Sequence, residues 1–262
     1  GSVSGTCSVT SAVTTTQTVS LSGQKYALGS SFTPGNLVVM RVGEAGTTVP
    51  ASTAAPAFLD ELTPAGALVQ TIPLPFVLNG LNRRMNVSSS STSDGVLNLS
   101  PDGQYLTFVG YDAAVFTSGV TASAAATTNR IVGLVSSNGL INSTTRINDG
   151  YDANNARSAV TLDGTSFWTS GAGTGGGTRY VTLGNTGTST YVSTTPANTR
   201  VVNISNNNLY VSSASGANIG LNQVAASGLP TSTGNTTTLL IPGIADAYGF
   251  VFLDRDAGIA GN

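Results

Sequence analysis

The sequence predicts an all-β fold, and three observations support that prediction. From residue 36 onwards, short runs of β-branched and aromatic residues alternate with Gly, Pro, Asn and Asp, which is typical of strands separated by tight turns. No window combines the apolar spacing and the capping residues of an amphipathic helix, since the best fragment, residues 122–126, is too short to be stable alone. A hairpin pattern also recurs along the chain, which indicates a repeat architecture.

The composition excludes several classes of protein. The 262 residues include only 10 Lys and Arg, 12 Asp and Glu, and no His. A net charge of −2 without a basic run argues against nucleic-acid binding, and the lack of His excludes a Ser-His-Asp triad. Cys7 is the only cysteine, so it is either a free thiol or a link to another chain. The sequence contains no apolar run of about 20 residues, so no membrane-spanning helix is predicted. Abundant Ser and Thr with few charges predict an extracellular or cell-surface protein.

The chain divides into a tail and one large domain. Residues 1–35 are rich in Ser, Thr and Gly, and we interpret them as a tail leading into the fold. The domain covers residues 36–262. Its first unit, residues 36–73, contains three predicted strands, at residues 36–42, 56–62 and 67–73.

The recurring hairpin defines three further units. It occupies residues 94–109, 157–169 and 200–212, with Pro-Asp-Gly, Leu-Asp-Gly and three consecutive Asn residues at the turns. The first two hairpins are each followed by two more strands, at residues 130–135 and 143–147 and at residues 178–183 and 189–193. Four strands per unit, repeated about every 40–60 residues, predict a β-propeller of four-stranded antiparallel blades. The units are residues 94–148, 155–198 and 199–243. Solenoid repeats are shorter, and a sandwich does not explain the recurrence.

Residues 246–262 begin another unit, so we expect the propeller to be incomplete in this chain. The run 248–254 is predicted to be its first strand. In one geometry this strand pairs with residues 36–42 and closes a four-bladed ring. In the other it opens a blade that a second polypeptide completes, either the rest of a cleaved precursor or a neighbouring copy, because an apolar strand edge needs a cover. A continuation of the same chain is a third alternative.

Residues 100–108, Ser-Pro-Asp-Gly-Gln-Tyr-Leu-Thr-Phe, resemble the hairpin of TolB-like and WD40-like β-propellers. The wider pattern resembles a group of secreted, mostly bacterial propeller-like proteins of unassigned function. It is carried by residues 32–43, 58–70, 155–160, 200–202 and 209–216. The resemblance covers nearly all of the chain from residue 32, and it implies a fold and a secreted location without implying catalytic residues. It also favours the incomplete propeller, since similar proteins continue with more strand pairs.

Four residues occupy matching positions at the start of the channel-lining strand in successive units, namely Asp94, Arg157, Arg200 and Tyr248. This position lies at one mouth of a propeller's axial channel, so Arg157 and Arg200 are expected close together. Their guanidinium groups could clamp a carboxylate, a sulfate or a sugar acid. In the structural alternative, each Arg ties neighbouring blades together through backbone carbonyls.

Two further patterns suggest ligands. Asp254 and Asp256 provide alternating oxygen atoms that could suit Ca²⁺, although we favour a solvated turn because the segment lacks the length and the terminal Glu of an EF-hand loop; no other cofactor is predicted. Five glycosylation sequons raise the alternative of attached glycans. They begin at Asn86, Asn98, Asn142, Asn203 and Asn235.

The sequence therefore favours an extracellular, non-enzymatic propeller used for structure or binding at a cell surface or in a filament. The alternative is a carbohydrate-active lyase or hydrolase whose site lies at the channel mouth. In that enzyme Tyr248 would act as the base, while Arg157 and Arg200 would neutralise a uronate.

Overall fold

The computed structural model describes residues 2–10, 16–24, 29–244 and 246–253. The described chain is all-β, as predicted, and its only helical elements are two short 3₁₀ turns, Val120–Ala122 and Gly216–Asn218. No helix within the described ranges has the length and apolar character needed to cross a bilayer.

The N-terminal region contains a hairpin that the sequence analysis did not predict. Strands β1 (Ser2–Thr10) and β2 (Thr16–Gln24) pair antiparallel along their whole length. Both strands contain β-branched Val and Thr, and their few apolar residues alternate with Ser and Thr, as at Val3, Cys7 and Val9 in β1 and at Val19 and Leu21 in β2. The hairpin lies within residues 1–35, the segment that we interpreted as a tail leading into the fold.

The next strands form a three-stranded sheet, called sheet N, and a small separate pair. Sheet N confirms the three strands predicted in the first unit, and its spatial order is β3-β5-β6. Its strands are β3 (Leu37–Val42), β5 (Ala57–Leu62) and β6 (Leu68–Pro73). The separate pair is β4 (Ala54–Ala55) with β7 (Val87–Ser88).

Three four-stranded antiparallel sheets follow, each a meander of consecutive strands. Sheet I contains β8 (Asn98–Leu99), β9 (Tyr105–Tyr111), β10 (Arg130–Ser136) and β11 (Ile141–Ile147). Sheet II contains β12 (Ala156–Val160), β13 (Ser166–Gly171), β14 (Gly177–Thr182) and β15 (Thr190–Ser193). Sheet III contains β16 (Thr199–Ser205), β17 (Asn208–Ser213), β18 (Gly220–Val224) and β19 (Thr237–Pro242). These sheets confirm the four-stranded antiparallel units.

The turn residues explain why each unit begins with a hairpin. Between β16 and β17, Asn206 and Asn207 have positive φ values of 44° and 55°, as a tight two-residue turn requires. At the first hairpin, Asp102 accepts hydrogen bonds from the Ser100 hydroxyl and the Gln104 amide, and Gly103 has a φ of 70°. The local chemistry of the sequence therefore determines these two hairpins.

The sheets stack face to face in chain order, with a hydrophobic cluster between each neighbouring pair. Successive residues of a strand point to opposite faces of its sheet. Phe108 and Val109 of β9, the second strand of sheet I, therefore contribute to different clusters. The edge strand β12 of sheet II packs against β9 of sheet I and β16 of sheet III. The three clusters include Leu59, Phe108 and Ile131; Val109, Ala159 and Phe167; and Trp168, Val202 and Leu209.

The final described segment differs from its prediction. Residues 246–253 form no strand and do not pair with β3, so the geometry in which residues 248–254 close the ring through residues 36–42 is not found. The segment lies against sheet III instead, where the Ser212 hydroxyl donates to the Tyr248 carbonyl and Phe252 packs on Tyr210 with ring centroids 4.6 Å apart. An apolar run predicts burial but does not provide a neighbouring strand, and a strand needs one for its backbone hydrogen bonds. The described sheets form neither a closed barrel nor a closed ring.

Candidate functional site

Three of the four residues singled out in the sequence line one cavity of about 350 Å³. They are Arg157, Arg200 and Tyr248. The other lining residues carry hydroxyl or amide groups: Ser88, residues 90–93, Thr121 and Asn155. The cavity therefore brings together two guanidinium groups and a wall of neutral hydrogen-bonding groups.

The strand register explains why the two arginines meet. Arg157 is the second residue of β12, and Arg200 is the second residue of β16. These strands begin sheets II and III and pack against each other, so equivalent positions lie side by side. The expectation that Arg157 and Arg200 share one site is met in geometry, while ligand binding there stays a prediction.

Arg157 is buried and only partly satisfied. Its Nε donates to the Ser93 hydroxyl at 3.3 Å, and its Nη1 donates to the Thr199 carbonyl at 2.7 Å and to the Asn198 side chain. Its Nη2 makes no hydrogen bond to the described residues. Burial, together with the smaller effect of the nearby charge of Arg200, lowers the pKa of Arg157 to about 10. The side chain nevertheless stays charged at neutral pH.

Arg200 has still fewer partners. Its guanidinium carbon lies 4.8 Å from the centroid of the Tyr248 ring, which is a cation–π contact. Its Nε is buried without a hydrogen-bond partner among the described residues. Two neighbouring arginines thus share a cavity that has no carboxylate in its lining. Arg157 also links neighbouring sheets, since its side chain in sheet II donates to the Thr199 carbonyl of sheet III. This contact is the one that the structural alternative described.

Asp94 is not part of the cavity lining. It lies behind the serine-rich loop, where its Oδ2 accepts a hydrogen bond of 3.2 Å from the Ser88 amide. Burial raises the pKa of the Asp94 carboxyl, and hydrogen bonds from Ser91 and Ser88 offset only part of that rise. Asp94 therefore supports the loop rather than facing a ligand directly.

The raised pKa of Asp94 predicts that the free energy of unfolding depends on pH. Because its pKa in the folded protein lies above the ordinary value of 3.8, its contribution to stability is fully present below pH 3.8 and is lost as the pH rises through the raised pKa. We expect Asp94→Asn to remove this loss, since the amide keeps the acceptor for Ser88 and carries no charge. Urea denaturation from pH 4 to pH 7 should show the wild type losing stability relative to the variant. Parallel pH profiles would contradict the assignment.

The serine-rich loop is the part of the site that sequence reasoning missed. Residues 88–93 read Ser-Ser-Ser-Ser-Thr-Ser and directly precede Asp94, so a run of hydroxyl residues beside a candidate site residue was the available signal. Asn155 holds this loop by donating from its Nδ2 to the Ser91 hydroxyl at 2.7 Å. The loop thereby faces the arginines with its hydroxyl groups.

Comparison with known proteins does not narrow the chemistry of this cavity. The chain matches no protein-family model and no curated protein. The interpretation of the site therefore depends on its own residues.

The structure describes only some of the remaining candidate residues. Asp254 and Asp256, the candidate Ca²⁺ ligands, lie outside the described residues. Within the described ranges no three His, Cys, Asp or Glu residues are grouped as a metal site. Two of the five sequons are unsuited to glycans in the folded protein, because Asn86 and Asn98 are buried and their amides donate to the Ala113 and Ala159 carbonyls.

Proposed function

We propose that this protein is an extracellular, non-enzymatic module of the propeller type that acts in structure or binding at a cell surface or in a filament. The observation that carries the binding role is the cavity, where Arg157 and Arg200 lie together beside a wall of hydroxyls and the buried Nε of Arg200 has no partner among the described residues. The propeller arrangement is supported by meander sheets that stack in chain order with β12 packed between β9 and β16. The low content of charged residues supports the extracellular location.

The second candidate is a carbohydrate-active lyase or hydrolase acting in the same cavity. It is favoured by Tyr248, whose ring lies against Arg200 at the cavity wall. A tyrosine beside arginines could remove a proton next to a uronate carboxylate without any histidine. The binding role requires only the hydrogen bonds and charges already described, so it is the one we favour.

A ligand screen tests the binding role. We expect at least one compound in a panel of neutral sugars, sugar acids, sulfate and phosphate to stabilise the protein. At one hundred times its dissociation constant, a ligand adds about 2.7 kcal/mol, which raises the melting temperature of a chain of this size by about 5–10 °C.

Two tryptophan substitutions make the screen specific. Ser90→Trp places a large ring at the cavity and should abolish the shift, whereas Ser232→Trp changes an exposed serine that does not line it. A panel without any stabilising compound, or a shift that survives Ser90→Trp, would exclude this binding role. Release of new sugar ends from oligosaccharides would instead favour the lyase or hydrolase.

We also propose that a neighbouring copy of the chain covers the final described segment. Val251 and Leu253 are 73% and 70% exposed. Sheet N, at the other end of the stack, presents Leu37 and Leu68 on its own exposed surface. Sheets elsewhere in the chain bury such surfaces against the next sheet, so the two ends of the stack suit a head-to-tail contact between copies.

Charged residues on this segment should prevent that contact. We expect sedimentation velocity at micromolar concentration to show oligomers of the wild type and a single-chain mass for Val251→Asp combined with Leu253→Asp. The matched control, Val77→Asp, alters another exposed apolar residue outside that segment. A wild type that sediments as a single chain at all concentrations would exclude the neighbouring copy as the cover.

A further inference from the structure

The lining of the cavity carries an excess of positive charge. Its lining contains two arginines and no carboxylate, and Asp94 lies behind the loop. The buried Nε of Arg200 has no partner among the described residues, whereas Arg157 donates through its Nε and Nη1. Buried polar groups in proteins are normally hydrogen-bonded, so the Arg200 Nε indicates that an acceptor completes the site, and the two neighbouring guanidinium groups favour a negatively charged one.

The shape of the donors favours a carboxylate. A guanidinium group presents a planar fork of N–H donors that matches the two oxygens of a carboxylate. Phosphate and sulfate also accept such forks, so the arginines alone establish an anion and do not select among anions.

The remaining wall selects a hydroxylated ligand. Ser90, Ser91 and Ser93 provide hydroxyls that can both donate and accept, and Asn155 adds an amide. A volume of about 350 Å³ falls at the lower end of the range for small-molecule sites, roughly 300–1,000 Å³. The hydroxyls of Ser90, Ser91 and Ser93 already contact Ser52, Asn155 and Arg157, but a hydroxyl can make more than one hydrogen bond. An inorganic anion would contact the arginines and would not use the capacity of the hydroxyls that is left. A sugar ring that carries a carboxylate would use both parts of the site.

We propose that the cavity binds a sugar acid, with its carboxylate held between Arg157 and Arg200 and its ring hydroxyls held by the serine-rich loop. This inference rests on the proposed binding function and adds the class of ligand. Tyr248 acts as a positioning residue here, because its ring packs on the guanidinium of Arg200.

The test compares three probes by isothermal titration calorimetry. Galacturonate carries a carboxylate and ring hydroxyls, galactose has similar hydroxyls without the charge, and inorganic sulfate has the charge alone. We expect galacturonate to bind about tenfold to hundredfold more tightly than either of the others, the range for losing one charge-assisted hydrogen-bonded contact.

Substitutions of Arg200 separate the site from general charge effects. Arg200→Gln should lose that tenfold to hundredfold preference for galacturonate, and Arg200→Lys should lose part of it because an ammonium lacks the planar fork. Arg146→Gln is the matched control, since Arg146 also has a buried Nε without a partner but lies on β11 outside the cavity. Circular dichroism establishes that each variant is folded.

The outcomes distinguish this inference from the proposed function. Galactose binding as tightly as galacturonate, or sulfate binding as tightly, would overturn the sugar acid and leave the binding module intact. Equal losses in Arg200→Gln and Arg146→Gln would also overturn it. If none of the three probes binds and the wider panel also fails, the proposed binding function itself is wrong.

Discussion

Replacing Arg130 with methionine is expected to lower the free energy of unfolding by about 3–5 kcal/mol. Arg130 lies in sheet I and is 1% exposed. Its Nη2 donates to the Ser123 and Tyr151 carbonyls, each at 2.7 Å, and its Nη1 donates to the Thr128 carbonyl at 2.7 Å. Methionine fills part of the volume but leaves the buried Tyr151 carbonyl and the partly buried Thr128 carbonyl without this donor, while the Ser123 carbonyl keeps a hydrogen bond from the Ala153 amide. Each lost hydrogen bond to a charged group is worth about 1.5–3 kcal/mol, and the contributions are not fully additive.

Urea denaturation followed by tryptophan fluorescence measures this loss. The chain has one tryptophan, Trp168, in sheet II. Its fluorescence therefore reports unfolding without being changed directly by a substitution in sheet I. The control is Arg84→Met, since Arg84 forms a partly exposed ion pair with Asp112 and should cost less than about 1 kcal/mol. Similar losses in both variants would show that the buried carbonyl network is not the source of the stability.

Replacing Trp168 with alanine should be comparably severe, with a loss of about 3–5 kcal/mol. The side chain is 3% exposed and belongs to the cluster between sheets II and III, with Tyr180 at 5.4 Å between ring centroids. Its indole Nε1 donates to the Pro230 carbonyl at 2.7 Å. The substitution therefore creates a cavity and also removes a hydrogen bond.

Trp168→Phe separates these two effects, because it keeps a ring in the cluster and removes only the indole donor and part of the volume. We expect it to lose less than half as much stability as the alanine variant. Circular dichroism replaces fluorescence here, since the variants lack tryptophan. Leu81→Ala changes an exposed leucine and should stay within about 0.5 kcal/mol of the wild type. If Trp168→Ala lowered the free energy of unfolding as little as Leu81→Ala does, this cluster would not be what holds sheets II and III together.

The hairpins could be predicted because their information is local. Asp102 with Gly103, and Asn206 with Asn207, specify tight turns whatever the rest of the fold does. The segment 246–253 could not be predicted in the same way, since its apolar residues indicate burial whereas strand formation depends on a neighbour elsewhere in the chain. The hairpin of β1 and β2 was missed because the high Ser, Thr and Gly content of residues 1–35 was interpreted as a tail, although the few apolar residues of both strands alternate with Ser and Thr.

The site was partly predictable for a related reason. Equivalent positions in successive repeats predicted that Arg157 and Arg200 meet, and the packing of β12 against β16 produces that meeting. The contribution of residues 88–93 was not predictable, because a loop's position is determined by long-range contacts such as that of Asn155 with Ser91. The same dependence places Asp94 behind the cavity rather than in its wall.

The stacking of the sheets in chain order has a consequence for cooperativity. Each cluster joins only two neighbouring sheets, so the stability of the stack approximates a one-dimensional chain of nearest-neighbour couplings, in which an opened end need not unfold the middle. The cavity departs from this pattern, because its wall comes from the loop before sheet I, from sheets II and III, and from the segment that contains Tyr248. A molecule bound there would add a direct coupling among four parts of the chain, two of which, the loop before sheet I and sheet II, are separated by sheet I. It would thereby convert a row of separable layers into a single cooperative unit.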